Sequence, residues 1–344
     1  MTIVLVTLAI IIAATLIWLA ALDGTFHVRR ATIIGVEPEQ AYNVVRDFHH
    51  WPAWSPWLIH EPEAQLTFSS APDEPTGWYS WNGRHIGAGT LTHVAMVAPA
   101  ETRQGRIEQR LGFTRPFKSD ARVVWDFTTV QGGVEISWAM YGRMPFLFRF
   151  LAPMTARMLE RDFELGLALL SGMLDPGGDA PHISFEGIAP FPARQCITLP
   201  FAGDTATRRQ TITEGIERLS ARRRDLGVTS DEPVFTAYHK VDTERPWFDG
   251  VVAAPLADTA LSAPSGSADD HRAQTLGGEG RWYRVRMRGG FRFMEMTWHC
   301  AIAHLRLHKI ALDGRRDCFE VYVSRPDNGH NGRSETDLYI PIKA

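Results

Sequence analysis

The longest apolar segment of the chain lies at its N-terminus. Residues 3–22 carry no charged side chain, and Thr7 and Thr15 are their only polar interruptions. At about 1.5 Å per residue a helix of this length spans about 30 Å, the thickness of a bilayer's hydrocarbon core. The pattern predicts a single transmembrane anchor over residues 1–23, with a buried core helix and a cleaved signal peptide as alternatives.

The residues that flank this segment bear on those alternatives. No Lys or Arg precedes it, and it is longer than a typical signal-peptide core, which favours an anchor. Arg29 and Arg30 on its C-terminal side favour a cytoplasmic location by the positive-inside rule. Short N-terminal anchors, however, often hold a domain outside the cell. The side of the membrane therefore stays open.

Residues 25–175 alternate between strand and helix patterns. A strand over residues 26–34 precedes an amphipathic helix, whose apolar residues recur at i, i+3, i+4 and i+7: Ala41, Val44, Val45 and Phe48. Six further strands are predicted at residues 64–68, 77–81, 87–96, 106–113, 121–129 and 133–141. A final helix carries the apolar stripe Phe163, Leu167, Leu170 and Leu174. This order predicts a curved antiparallel sheet around one long helix.

The connection after the first short helix is rich in tryptophan and proline. Its seven central residues include Trp51, Pro52, Trp54, Pro56 and Trp57. Proline removes a backbone donor and biases the preceding residue toward extended geometry, so neither a regular helix nor a strand fits this stretch. We expect a rigid, irregular loop.

Together these features resemble the START-like polyketide cyclase (SRPBCC) superfamily of ligand-binding proteins. The resemblance is carried by residues 36–42, 47–57, 83–89, 115–118, 138–140 and 162–167. It implies a helix-grip fold over residues 25–175, and such a sheet leaves an apolar cavity beside its long helix. The side chains predicted to line this cavity are Trp54, Trp57, Trp81, Trp125 and Trp138.

No catalytic constellation is visible in this first domain. Glu108, Asp126 and Glu135 stand singly in strand patterns, and nothing in the sequence pairs His85 or His93 with a carboxylate. A cyclase or hydrolase needs a positioned acid–base pair or nucleophile. We therefore expect hydrophobic ligand binding and name no catalytic residue.

Residues 182–344 show a strand-helix-strand-strand pattern twice, after a turn-rich break at residues 176–181. The first copy is predicted at residues 183–201, 205–226, 234–241 and 250–256. The second is predicted at residues 282–288, 293–312, 318–324 and 337–342. Residues 258–280, rich in Ser, Ala, Gly and Asp, are expected to form a mobile joining loop.

This duplicated unit resembles the gyrase-inhibitor-like (GyrI-like) effector-binding domain, through Tyr238-His239, through Tyr322 with Arg325-Pro326, and through the C-terminal motif at residues 335–343. The resemblance implies a pocket between the repeats, where an acid among aromatics binds cationic, aromatic compounds. The family usually has Glu where this chain has Asp337. A buried carboxylate beside aromatic rings attracts a cation. The predicted pocket residues are Tyr238, Trp298, Glu320, Tyr322, Asp337 and Tyr339.

Composition narrows the remaining function classes. The chain has 344 residues, 44% hydrophobic and 22% charged, with a net charge of -3. This composition gives no electrostatic footprint for nucleic acid, whose binders usually present a strongly basic face. Three widely spaced cysteines form neither a disulfide framework nor a zinc pattern. His304 and His308 are at i and i+4 but have no third ligand, so we expect no metal and no cofactor.

The prediction is thus an α+β protein: a transmembrane anchor, a helix-grip domain and a duplicated β-α-β-β domain. The helix-grip domain is expected to bind a hydrophobic ligand and the second domain an aromatic or cationic one, in binding or sensing without catalysis. One alternative is an enzyme, either a polyketide cyclase-like one or a hydrolase of reactive small molecules that uses Glu320, Tyr322 and Trp298. A scaffold that docks a protein partner is another.

Overall fold

The computed structural model of the protein describes residues 2–99, 104–175, 177, 180–225, 232–242, 247–256, 272–324 and 334–343. It divides into two compact units, Met1–Gly178 and Asp179–Ala344. We call them unit 1 and unit 2 and describe each by itself.

Unit 1 is an antiparallel sheet with one long helix. Its elements are α1 (Thr2–Ala21), β1 (Thr25–Ile34), α2 (Pro38–Arg46), β2 (Gln65–Phe68), β3 (Trp78–Asn82), β4 (Ala88–Val97), β5 (Gln104–Arg115), β6 (Ser119–Val130), β7 (Gly133–Arg143) and α3 (Ala152–Leu174). The seven strands are ordered β1-β7-β6-β5-β4-β3-β2. The core lies between the sheet and the helices α2 and α3, which bury their apolar faces against it. Short 3-10 turns occupy Phe48–Ala53, Leu58–His60 and Phe146–Leu151.

The alternating apolar residues of β6 and β7 lie on one shared face of the sheet, as the sequence predicts. Trp125 pairs with Trp138 and Phe127 with Ile136 in the antiparallel register, and each of the four is at most 1% exposed. Because side chains alternate between the faces of a strand, these residues share the core face of the sheet. The Trp138 ring is sandwiched there between Trp125, 4.4 Å away, and Phe163 of α3, 3.9 Å away between centroids.

Helix α1 differs from the other helices because nearly all of its side chains are exposed. Leu19 is its buried residue, at 5% exposure. The helix is long and apolar enough to cross a membrane, a criterion of length and composition that a signal sequence meets as well. Its C-terminal end is held to unit 1 by Arg149, whose Nη1 donates to the carbonyls of Leu19, Ala20 and Leu22 at 3.4, 3.3 and 3.2 Å.

In the residues that the structure describes, unit 2 consists of an eight-stranded antiparallel sheet and two α-helices. Its elements are β8 (His182–Ala189), β9 (Arg194–Asp204), α4 (Thr205–Asp225), β10 (Phe235–Asp242), β11 (Trp247–Pro255), β12 (Arg272–Leu276), β13 (Trp282–Arg288), α5 (Met294–Leu307), β14 (Cys318–Tyr322) and β15 (Glu335–Pro341). The order is β12-β9-β11-β10-β14-β15-β13-β8. The halves β9-α4-β10-β11 and β13-α5-β14-β15 therefore share one strand order, and β10 and β14 join them in antiparallel pairing.

Two segments of unit 2 depart from the sequence prediction. The strand expected at residues 183–201 is two strands, β8 and β9, interrupted at Pro190 and Pro192, where proline cannot donate to a strand ladder. β8 pairs with β13 of the other half. The loop expected at residues 258–280 contains β12, whereas residues 257–271 lie outside the described residues, as do Arg325 and Pro326.

Candidate functional site

An apolar cavity of about 260 Å³ lies in unit 1. Its walls come from β1, the strands β3 to β7, the turn between β5 and β6, the loop around Trp57 and the first turns of α3. Aromatic side chains form much of the lining: Phe26, Trp51, Trp57, Tyr79, Trp81, Phe113, Phe117 and Trp138. Aliphatic and Met side chains, among them Leu111, Met140 and Leu159, supply most of the remainder. A lining of this kind suits an apolar ligand with few polar groups.

The structure divides the five predicted cavity tryptophans. Trp57, Trp81 and Trp138 line the cavity, whereas Trp54 and Trp125 do not. Trp54 and Trp125 are 1% and 0% exposed and pack edge to face, with their ring centroids 5.7 Å apart. Both rings belong to the apolar core of unit 1 and support the cavity without lining it.

Several lining residues were not predicted from the sequence, although the alternation of side chains along β3 and β5 indicates them. Tyr79 and Trp81 alternate on β3 as Leu111 and Phe113 do on β5, so each pair points to one face. Gly89 pairs with both Trp81 and Phe113 in the sheet. A Cβ atom at Gly89 would stand 2.6 Å from the Trp81 ring. The glycine makes room for that indole against the sheet.

The polar part of the lining is small. It consists of Ser55, Ser119, Asp120, Arg143 and Thr155. Asp120 and Arg143 are exposed residues at strand ends, so charge is confined to one end of the cavity. Among the described lining residues Asp120 is the one carboxylate, and none of them is a histidine.

The two histidines considered for the cavity have structural contacts instead. His93 is 1% exposed, and its Nε2 lies 2.9 Å from the Arg46 carbonyl. Its ring stacks on Phe48 at 4.2 Å, and burial lowers its pKa. The backbone N–H of His85 donates to the Glu61 carboxylate at 2.8 Å. Neither residue lines the cavity.

One titratable group lies directly behind the cavity wall. The indole Nε1 of Trp57 donates to Oδ2 of Asp162 on α3 at 3.0 Å. Burial raises the pKa of Asp162 to about 6, although the hydrogen bond from Trp57 lowers it. Nothing in the sequence pairs these two residues, which are 105 positions apart. The contact fixes the orientation of a ring that lines the cavity.

Comparison with known proteins identifies the region that contains this cavity. The sequence model of a family described as polyketide cyclase/dehydrase and lipid transport matches residues 25–172. Residues 25–172 form a polyketide cyclase/dehydrase-like domain. The START-like resemblance is thereby confirmed for this segment, which is less than half of the chain. The fold of this cyclase-like domain is a ligand-binding one.

Solved structures match the chain at low identity. A Chromobacterium violaceum protein is 12% identical, with 44% of this chain and 97% of that one covered and a TM-score of 0.31. A Staphylococcus aureus protein of unknown function is 10% identical, with coverages of 44% and 94% and a TM-score of 0.34. The protein SAV2435, solved with bound tetraphenylphosphonium, is 11% identical, with coverages of 46% and 93% and a TM-score of 0.33. No ligand or activity transfers at this level of similarity. No curated protein matches the chain.

Outside the cyclase-like domain, unit 2 holds a buried carboxylate. Glu320 on β14 is 2% exposed. Its Oε2 accepts from the Tyr238 hydroxyl at 3.1 Å and from the Trp298 indole at 2.8 Å, and its Oε1 accepts from the Tyr322 hydroxyl at 2.9 Å. Four of the six predicted pocket residues therefore form one hydrogen-bonded cluster, which we call the Glu320 cluster.

Burial and the charge of Glu320 hold both phenols of this cluster protonated. Burial, followed by the negative charge of Glu320, raises the pKa values of Tyr238 and Tyr322 well above 10. Arg208 of α4 places its guanidinium 4.8 Å from the Phe248 ring. Burial lowers the pKa of Arg208, but the nearby tyrosines and Glu320 outweigh that effect and raise it. The sequence did not single out Arg208, which brings a positive charge close to the acid.

The structure separates the other two predicted residues from the cluster. Val321 pairs with Asp337 and Phe319 with Tyr339, so Asp337 and Tyr339 lie on the sheet face opposite to Glu320. The two oxygens of Asp337 accept from Arg286 Nε and Nη2 at 2.7 and 2.8 Å, a bidentate ion pair. The Tyr339 ring packs 5.0 Å from Phe191. A shift of one residue in the pairing of β14 with β15 would instead place Asp337 and Tyr339 on the same face as Glu320.

The His304 and His308 pair also has packing contacts. The Nε2 of His304 lies 3.0 Å from the Tyr283 hydroxyl, and its ring stacks on Phe185 at 3.6 Å. Within the described part of the chain, no group of three or more His, Cys, Asp or Glu side chains is placed to hold a metal ion.

Proposed function

We propose that the protein is a membrane-anchored small-molecule-binding protein whose cyclase-like domain holds an apolar or amphipathic ligand. The aromatic cavity of about 260 Å³ carries this proposal. It binds or senses its ligand without catalysis. The description of the matching family includes lipid transport, which fits a ligand of this class.

The size of the cavity sets the scale of the ligand. An apolar cavity of about 150 Å³ in another protein binds benzene, so the larger volume here accepts roughly two rings or a comparable branched chain. Rings can pack face to face or edge to face on Trp57, Trp81 and Phe113. Asp120 and Arg143 would meet the polar end of an amphipathic ligand at the rim.

Filling the cavity tests this proposal. Ala121 lines the cavity, whereas Ala95 of β4 is exposed on the same sheet. We would purify Ala121→Phe, the matched control Ala95→Phe and the wild type in lipid nanodiscs from host membrane extract, and identify retained molecules by native mass spectrometry. A molecule of two-ring size held by the wild type and the control but lost from Ala121→Phe is the expected result. No retained molecule, or equal retention by all three proteins, contradicts the proposal.

For unit 2, the proposal is a GyrI-like effector-binding domain that takes an aromatic or cationic ligand at the Glu320 cluster. A buried carboxylate surrounded by Tyr238, Trp298 and Tyr322 supports it, because aromatic rings and a negative charge both attract an organic cation. Arg208 disfavours binding of a cation, because its own positive charge is close to the same acid.

The same cluster is the basis of the enzymatic alternative, hydrolysis of a reactive small molecule. Glu320 would act as base or nucleophile while the phenols donate. Glu320→Gln separates the two functions, with Glu186→Gln on β8 as a surface control. Weaker binding of tetraphenylphosphonium with unchanged binding of neutral triphenylphosphine oxide supports the cation site. Loss of turnover of an electrophile panel in Glu320→Gln supports the hydrolase. An equal loss of binding of both ligands argues against the cation site and against the hydrolase.

A further inference from the structure

An exposed apolar surface covers the Phe146–Leu151 turn and the first turns of α3. We call it the Phe146 patch and define it by Phe146, Leu147, Phe148, Phe150, Met154 and Met158. The exposed fractions of these side chains range from 39% at Phe148 to 59% at Leu147. No residue of the Phe146–Leu151 turn is buried. Contiguous exposed apolar surface of this kind marks a binding face.

The position of the Phe146 patch indicates what covers it. The Phe150 ring lies 6.2 Å from the ring of Trp18 in the last turn of α1. Arg149, within the same turn, donates to the carbonyls of Leu19, Ala20 and Leu22. The patch is therefore fixed beside the C-terminal end of α1.

A bilayer spanned by α1 places that end at its surface. The 20 residues of α1 are about 30 Å long, equal to the thickness of the hydrocarbon core. Trp18 then lies at the boundary with the headgroups, where tryptophan is enriched. The Phe146 patch, held beside it, must lie at the same depth.

Exposed basic side chains accompany the patch. Lys118 follows Phe117, Arg143 precedes the Phe146–Leu151 turn, and Arg157 lies between the two methionines of the patch. Basic residues at a membrane surface gain about 1 kcal/mol each from anionic lipids. Exposed apolar side chains with three exposed basic residues near them in the sequence match a bilayer with anionic headgroups.

The patch is also connected to the cavity. Phe117 lines the cavity and stacks on Phe148 of the patch, with centroids 5.4 Å apart and planes 18° from parallel. Met144 and Thr155, on either side of the Phe146–Leu151 turn, line the cavity as well. One end of the cavity thus lies directly behind the patch.

We propose that the Phe146 patch inserts into the surface of an anionic bilayer beside α1, so that the cavity behind Phe117 faces the membrane and takes its ligand from it. This inference rests on the proposed function, both for the anchor and for the ligand. It narrows the ligand class to molecules that partition into membranes.

The depth of the patch is the first test. The full chain would be reconstituted into vesicles of phosphatidylcholine and phosphatidylglycerol at about 3:1, with a nitrobenzoxadiazole label on Leu147→Cys. Val97→Cys is the matched control, since Val97 is 55% exposed and lies at the opposite end of β4 from the Ala88–Arg115 pairing. The native cysteines are buried or half-buried. We expect doxyl lipids to quench the label at 147 several-fold more strongly than at 97. Equal quenching at both positions overturns the proposal.

Ligand uptake is the second test. A two-ring fluorophore, 1-aminonaphthalene, would be supplied within the vesicles. Energy transfer from the protein's tryptophans to this fluorophore would report cavity occupancy where Ala121→Phe abolishes it. Leu147→Asp with Phe150→Asp is expected to slow uptake about tenfold at unchanged final occupancy, and an unchanged rate overturns membrane uptake. Occupancy without lipid quenching refutes the inference and leaves the proposed function standing. Quenching without occupancy refutes the proposed function, and with it ligand uptake from the membrane, but leaves insertion of the patch standing.

Discussion

Substitution of Asp162 by Asn tests the electrostatics behind the cavity wall. Its carboxyl group has a hydrogen bond from the Trp57 indole at 3.0 Å and no ion pair in the described structure. Burial raises its pKa from 3.8 to about 6. Asn has nearly the same shape, keeps an acceptor oxygen for Trp57 and cannot ionise. The substitution therefore removes the charge and preserves the contact.

The raised pKa determines the sign of the effect. A group whose pKa is higher in the folded protein contributes stability below its unfolded pKa and loses that contribution as the pH rises through the folded pKa. The difference between 3.8 and about 6 corresponds to about 3 kcal/mol as an upper limit. Because Asp162 is partly exposed, we expect a smaller value of about 1–2 kcal/mol. Asp162→Asn should therefore be more stable than wild type by this amount at pH 7.5, and equally stable near pH 3.5.

Urea unfolding followed by tryptophan fluorescence measures this difference, because most tryptophans lie in unit 1. The series would run from pH 3.5 to 8, with the exposed Glu63→Gln as the control carboxylate. A stability difference that does not vary with pH refutes the reasoning, as does an Asn variant less stable than wild type at pH 7.5.

The remaining predictions concern packing, a buried ion pair and the thiols. A Cβ at Gly166 would stand 2.7 Å from a tryptophan ring of β7, so Gly166→Ala should lower the free energy of unfolding by about 1–3 kcal/mol; an unchanged urea midpoint contradicts this. Arg286→Ala should cost about 3 kcal/mol because Asp337 is 3% exposed and loses its partner, and adding Asp337→Asn should recover part of it in a double-mutant cycle. Burial raises the pKa of the Cys196 and Cys318 thiols to about 12, so both should react with iodoacetamide at pH 8 at least tenfold more slowly than in urea; fast labelling of the folded protein refutes their burial.

The elements of unit 1 are largely predictable from the sequence because their signals are local. The period-2 alternation of Trp125 and Phe127 against Ile136 and Trp138 anticipated both strands and their shared face. The long uncharged segment that forms α1 was equally easy to recognise in the sequence. Such patterns depend on neighbours one to four positions away, which the sequence displays directly.

The candidate sites depended on contacts between remote residues. Trp54 and Trp57 look alike in the sequence, yet packing buries the first and places the second on the cavity wall, next to an aspartate 105 positions away. Glu320 and Asp337 are both strand acids, and the register between β14 and β15 put them on opposite faces. By itself the sequence determined most of the strands and helices, and which family residues 25–172 resemble. The tertiary structure alone decided which side chains meet, because strand register and core packing are set by the whole unit and not by any one segment.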